Sequence, residues 1–79
     1  MIEHGCPRCN GALFVESFKA EGKTFIDITC LLCSRIWTPG TMSLLLASLR
    51  DNGYAEKATR VGKALNAAVT KEGGQRLVV

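Results

Sequence analysis

The sequence predicts a small α+β domain assembled around a bound metal ion, with a three-stranded sheet at its N-terminal end and a helical hairpin behind it. Three observations carry that expectation. Two Cys-x-x-Cys pairs, Cys6-Pro7-Arg8-Cys9 and Cys30-Leu31-Leu32-Cys33, stand with twenty residues between them, a spacing at which two tight turns can face each other and offer four thiolates to one tetrahedral ion. The residues between the pairs alternate apolar and polar with a period of two, as strands do. Beyond Pro39-Gly40 the period lengthens to that of amphipathic helices, and two such stretches follow.

Four thiolates fill a tetrahedral shell, so Cys6, Cys9, Cys30 and Cys33 are the expected ligands of one structural Zn2+ per chain. Iron held by four thiolates uses nearly the same geometry; zinc is the commoner occupant and the expected one. His4, two residues before Cys6, is surplus to a shell already complete. Disulfides would need an oxidising compartment, and residues 1–5 contain no apolar signal segment, so the thiols are expected to stay reduced and the protein cytoplasmic. A redox dithiol at Cys6 and Cys9 would leave the second pair unexplained and would need a strand-helix-strand unit that the surrounding residues do not suggest. A chain of 79 residues forms a core too small to hold a fold without a metal, disulfides or a partner. Zinc coordination supplies the deficit, on the order of 10 kcal/mol of binding free energy that becomes folding free energy.

The elements follow in order. Asn10 and Gly11 tolerate the left-handed backbone that a knuckle needs to aim its N–H groups at sulfur. Residues 12–18 read as a half-buried strand, with Leu13 and Val15 on one side and Phe14, Glu16 and Phe18 on the other. The polar residues 19–23, carrying Gly22, read as a hairpin loop. Residues 24–30 return with Ile26, Ile28 and Cys30 on one face, which delivers the second Cys pair beside the first. Residues 36–38 are expected as a short third strand whose apolar side chains cover the metal. Pro39-Gly40 reads as a break and Thr41 as a helix N-cap. A helix over 42–51 would bury Met42, Leu45, Leu46 and Leu49 and leave Leu44 outside, ending at Asn52-Gly53. A second helix over 54–72 carries an apolar stripe of Tyr54, Ala58, Val61, Leu65, Ala68 and Val69, with Lys57, Arg60, Lys63 and Lys71 gathered on another side. Residues 77–79 are expected on an open sheet edge, as an added strand on a neighbour, or without order.

The run Cys6-Pro-Arg-Cys-Asn-Gly, the hairpin, and Cys30-Leu-Leu-Cys followed by an aromatic residue together resemble a zinc ribbon, a rubredoxin-like four-cysteine fold shared by transcription-factor and RNA polymerase ribbons, ribosomal proteins and small bacterial regulators. The resemblance covers residues 4–38 and carries over onto Cys6, Cys9, Cys30 and Cys33 as ligands. It departs from the common pattern where Asn10 and Ser34, in place of glycine, follow each knuckle. The organisation expected is a ribbon over 1–40 and a two-helix segment with a short tail over 41–79, packed on the ribbon or on a second subunit.

Charge is divided unevenly. Residues 1–41 balance to zero and residues 42–79 carry the whole formal charge of +3. Two expectations for function follow. One is a nucleic-acid-binding or transcription-associated regulator in which Arg8, Arg35, Lys57, Arg60 and Lys63 meet the phosphates of DNA or RNA. The other is a protein-interaction module, with zinc purely architectural, that docks or forms a homodimer through the helices and C-terminal tail. No Ser-His-carboxylate set, phosphate-binding loop or open metal position points to an enzyme, and no small-molecule substrate is expected. The longest apolar runs are too short to span a membrane.

Overall fold

The alternation of residues 12–30 is realised as a β-hairpin in the computed structural model, which describes residues 1–73 and 77. Strand β1 (Leu13–Ala20) pairs antiparallel with β2 (Lys23–Cys30), and β2 pairs with the two-residue β3 (Ile36–Trp37), giving the sheet order β1-β2-β3. The five-residue loop expected over 19–23 is a two-residue turn, because Glu21 and Gly22 both take positive φ (53° and 75°). That combination matches the right-handed twist of the flanking strands and lets pairing continue to Ala20 and Lys23. Ile2 extends the sheet by one bridge, its N–H and C=O bonded to Leu13 at 2.8 Å each.

The inner face of the sheet holds Leu13, Ile26, Ile28, Cys30 and Trp37, all buried. The expectation that the third strand covers the metal with its apolar residues is corrected at Ile36. Its pairing with Thr29 puts it on the outer face, while Trp37, opposite Ile28, turns inward.

Helix α1 spans Pro39–Asp51 and begins three residues before the position expected. Its N-cap is Thr38 rather than Thr41: the Thr38 hydroxyl accepts from the Thr41 N–H at 3.2 Å. Proline read as a break is here the first helical residue, where a missing N–H costs nothing and a fixed φ favours the helix. Asn52 closes the helix by donating from its carboxamide to the Ser48 carbonyl at 2.8 Å, and Gly53 takes the left-handed conformation (φ 91°). Helix α2 (Ala55–Lys71) follows at once. Tyr54, expected on its apolar stripe, is the residue before the first turn and is 60% exposed.

One core joins all of these elements. Leu13 and Ile28 from the sheet, Met42 and Leu46 from α1, and Val61, Leu65 and Val69 from α2 are fully buried, together with Cys6 and Cys30. Asn66 is the one buried polar side chain among the described residues. Its carboxamide oxygen accepts from the Leu77 N–H at 2.5 Å and its nitrogen donates to the Leu77 carbonyl at 3.4 Å, so Leu77 lies against α2. Leu77 is therefore buried against the chain's own helix and in no strand. The expected strand positions 78 and 79 lie outside the described residues. Near the other end of the sheet, the Ser17 hydroxyl donates to the Glu72 carboxylate at 2.7 Å, tying β1 to the end of α2.

Candidate metal centre

The two Cys pairs fold into two turns of the same design. In the first, the Asn10 N–H donates to the Cys6 carbonyl (3.2 Å) and the Cys6 N–H to the Gly11 carbonyl (3.0 Å); in the second, Ser34 donates to Cys30 (3.0 Å) and Cys30 to Arg35 (2.8 Å). Asn10 and Ser34 occupy matching left-handed positions, φ 63° and 62°. Serine thus accepts the conformation that glycine or asparagine would adopt more easily, at a cost of about 1–2 kcal/mol that the rest of the turn must offset. The turned backbone aims N–H groups at sulfur: Arg8 and Cys9 donate to Cys6 Sγ, and Cys33 donates to Cys30 Sγ, each at 3.4 Å. The Leu31 N–H, bonded to the Ala12 carbonyl at 2.9 Å, holds the second turn against the chain leaving the first.

The hairpin brings the four sulfurs together, all within 4.8 Å of one another. Cys9 and Cys30 are separated by 3.4 Å and Cys6 and Cys33 by 3.9 Å, and all four thiols are free. A tetrahedron of sulfurs 2.3 Å from a central zinc has edges of about 3.8 Å, whereas a disulfide requires about 2.05 Å. The cluster therefore fits an ion and not two disulfides. Cys6 and Cys30 are buried, Cys9 is partly buried and Cys33 is exposed. His4 stands outside the sulfur cluster, its ring nitrogen 3.4 Å from the Asn10 carboxamide.

Without a cation the cluster divides its protons unequally. Burial opposes ionisation of Cys30, but the N–H groups of Cys33 and Leu32 and the thiols of Cys9 and Cys33 outweigh it and bring the group down to about 6. For Cys9 the Gly11 N–H favours the thiolate. Desolvation and the sulfurs of Cys30, Cys6 and Cys33 oppose it, and the group is pushed up to about 12. Neighbouring thiolates repel, so a divalent cation that displaces the remaining protons resolves a conflict built into the site.

Close packing at the centre falls on Gly11. A Cβ there would lie 2.6 Å from Leu32 Cβ, 3.2 Å from Cys30 Sγ and 3.3 Å from Cys9 Sγ. Gly11→Ala is expected to weaken metal affinity about tenfold or more, since overpacking of this kind costs about 1–3 kcal/mol. Competition with a chromogenic chelator measures it, with Gly40→Ala, where a Cβ meets nothing within 4 Å, as the silent control.

The basic residues expected to meet nucleic acid divide into two groups. Lys57 Nζ donates to the Cys6 carbonyl at 2.8 Å and to the Asn10 carboxamide oxygen at 2.9 Å. Arg60 donates to the carbonyls of Glu3 (3.1 Å) and His4 (3.0 Å). Both cations are thus bonded to the first knuckle and the residues leading into it, where they bring two positive charges toward a centre that four thiolates and a divalent ion would leave with two negative ones. Lys63, Arg8 and Arg35 are exposed, and their side chains are not joined to this network. The sequence shows Lys57 and Arg60 as neighbours on one helical face; that this face meets the first knuckle is a matter of tertiary packing that no local pattern encodes. Asn66 gave no such signal either, since on the helix it stands between the apolar stripe and the polar Thr59 and Thr70.

No protein-family model, curated protein or solved structure matches this chain. Among the described residues no helix is long and apolar enough to cross a membrane.

Proposed function

We propose that this chain is a protein-interaction module built on a zinc ribbon, in which a structural zinc held by Cys6, Cys9, Cys30 and Cys33 fixes the hairpin and α2 in one arrangement. The observation that carries the reading is the closed set of four sulfurs within 4.8 Å, clamped from outside by Lys57. Four protein ligands leave no position for water or substrate, which supports an architectural over a catalytic role. Zinc is the ion of choice because four-thiolate sites on paired knuckles most often hold it; iron is the alternative that the same ligands accept.

The nucleic-acid reading loses support at Lys57 and Arg60, whose donors already serve backbone and carboxamide oxygens. It retains Arg8, Arg35 and Lys63. Homodimerisation is a second form that an interaction module can take, and the exposed Leu44 on α1 is a surface for it. Two measurements test the proposal. Native mass spectrometry should give one zinc per chain and report the subunit count. Titration of a fluorescent 20-base-pair duplex at several salt concentrations should give no affinity with a steep salt dependence. A metal-free folded chain, or duplex binding that weakens more than a hundredfold between low and moderate salt, would count against it.

A further inference from the structure

The outer face of the sheet combines exposed aromatic rings with two facing carboxylates. Pairing register places Thr29 between Phe14 and Ile36, Glu16 directly opposite Asp27, and Phe18 opposite Phe25. The three phenylalanines and Ile36 are between 40% and 63% exposed. Phe18 and Phe25 stack with ring centroids 5.3 Å apart and planes inclined by 17°. Apolar side chains therefore occupy both ends of the face, and two carboxylates stand side by side between them.

This arrangement opposes the chain's own stability. Like charges directly opposite on neighbouring strands repel, and neither the Glu16 nor the Asp27 carboxylate forms an ion pair or hydrogen bond with any of the described residues. Lys23, opposite Ala20, is the basic residue of the outer face and lies beyond the Phe18–Phe25 pair, at the turn. Exposed rings flanking an uncompensated pair of acids define a complementary shape: a cation seated between the carboxylates, with apolar groups to either side. A second copy docked face to face would bring acids against acids, and a phosphate backbone would be repelled.

We propose that this face docks a protein segment presenting an arginine flanked by apolar side chains. The guanidinium bridges Glu16 and Asp27, which its planar fork suits better than the ammonium of lysine. Its faces meet the rings of Phe14 and Phe18 or Phe25 as cation–π contacts, and the flanking residues cover the apolar ends. The inference rests on the interaction-module reading and names the partner's chemistry.

The test uses phage-displayed random 12-residue peptides selected on the zinc-loaded chain. Selected peptides should carry an arginine between aliphatic or aromatic residues. The best of them should bind at least tenfold more weakly to the Glu16→Gln/Asp27→Asn double variant and to Phe18→Ser, and in 15N spectra it should shift the amides of Phe14, Glu16, Phe18, Phe25 and Asp27. Removing the like-charge pair should raise thermal stability while it lowers affinity, so loss of binding cannot be ascribed to unfolding. Peptides without a basic residue, equal affinity for the double variant, or shifts confined to the helices would overturn this proposal and leave the interaction-module reading standing. Selection of no peptide at all, together with salt-sensitive duplex binding, would overturn both.

Discussion

Replacing Cys30 with serine is expected to leave most of the chain unfolded at any practical zinc concentration. Cys30 contributes to two structures at once: it ends β2 inside the core, fully buried, and its sulfur lies 3.4 Å from that of Cys9. Serine offers a harder, less acidic oxygen in place of a thiolate, so the loss is a large share of a coordination free energy on the order of 10 kcal/mol. A core of this size alone supplies about 3–5 kcal/mol. Amide NMR dispersion and far-ultraviolet circular dichroism read the outcome. A variant with a fully dispersed spectrum would show that the ion is dispensable and would remove the basis for a structural metal. Exhaustive dialysis of the unaltered chain against a strong chelator should produce the same collapse, reversed by zinc.

Leu65→Ala is expected to lower apparent zinc affinity by roughly a hundredfold without touching a ligand. Leu65 is fully buried at the centre of α2, and truncating such a leucine costs about 2–5 kcal/mol. If the metal-free chain is unfolded, folding and binding are a single equilibrium, and a loss of about 3 kcal/mol in packing emerges as about two decades in the dissociation constant. Chelator competition measures this directly. Leu44→Ala is the control: Leu44 is 74% exposed, and its loss should leave affinity unchanged. Unaltered affinity in Leu65→Ala alongside a lower melting temperature of the metal-free chain would show that the helices fold independently of the ion.

The sulfur cluster was the most legible part of this chain because it rests on a local rule applied twice, and the strand between the pairs needs only a period of two to close it. Leu13, Ile26 and Ile28 went to the core for the same reason. Residues whose roles depend on what packs against them were not legible. Pro39 looks like a terminator until Thr38 is seen capping the turn, and Glu21 gives no hint of adopting a positive φ, since the usual sign of a tight hairpin is a small polar residue before glycine. Lys57 reads as a solvated charge on a helical wheel; its two oxygen partners lie more than forty residues earlier. The outer sheet face was visible residue by residue as the side of the first strand that carries Phe14, Glu16 and Phe18. Register was needed to set Glu16 against Asp27 and make a conflict of them.

The two knuckles share a backbone design yet differ in what surrounds them. The first is sheathed by Lys57 and Arg60, while the second displays Leu31, Leu32 and Cys33 to solvent. The sulfur cluster is consequently open to solvent on the side of Cys33. Scavengers and electrophiles would reach a bound ion by way of Cys33, the exposed cysteine of the four.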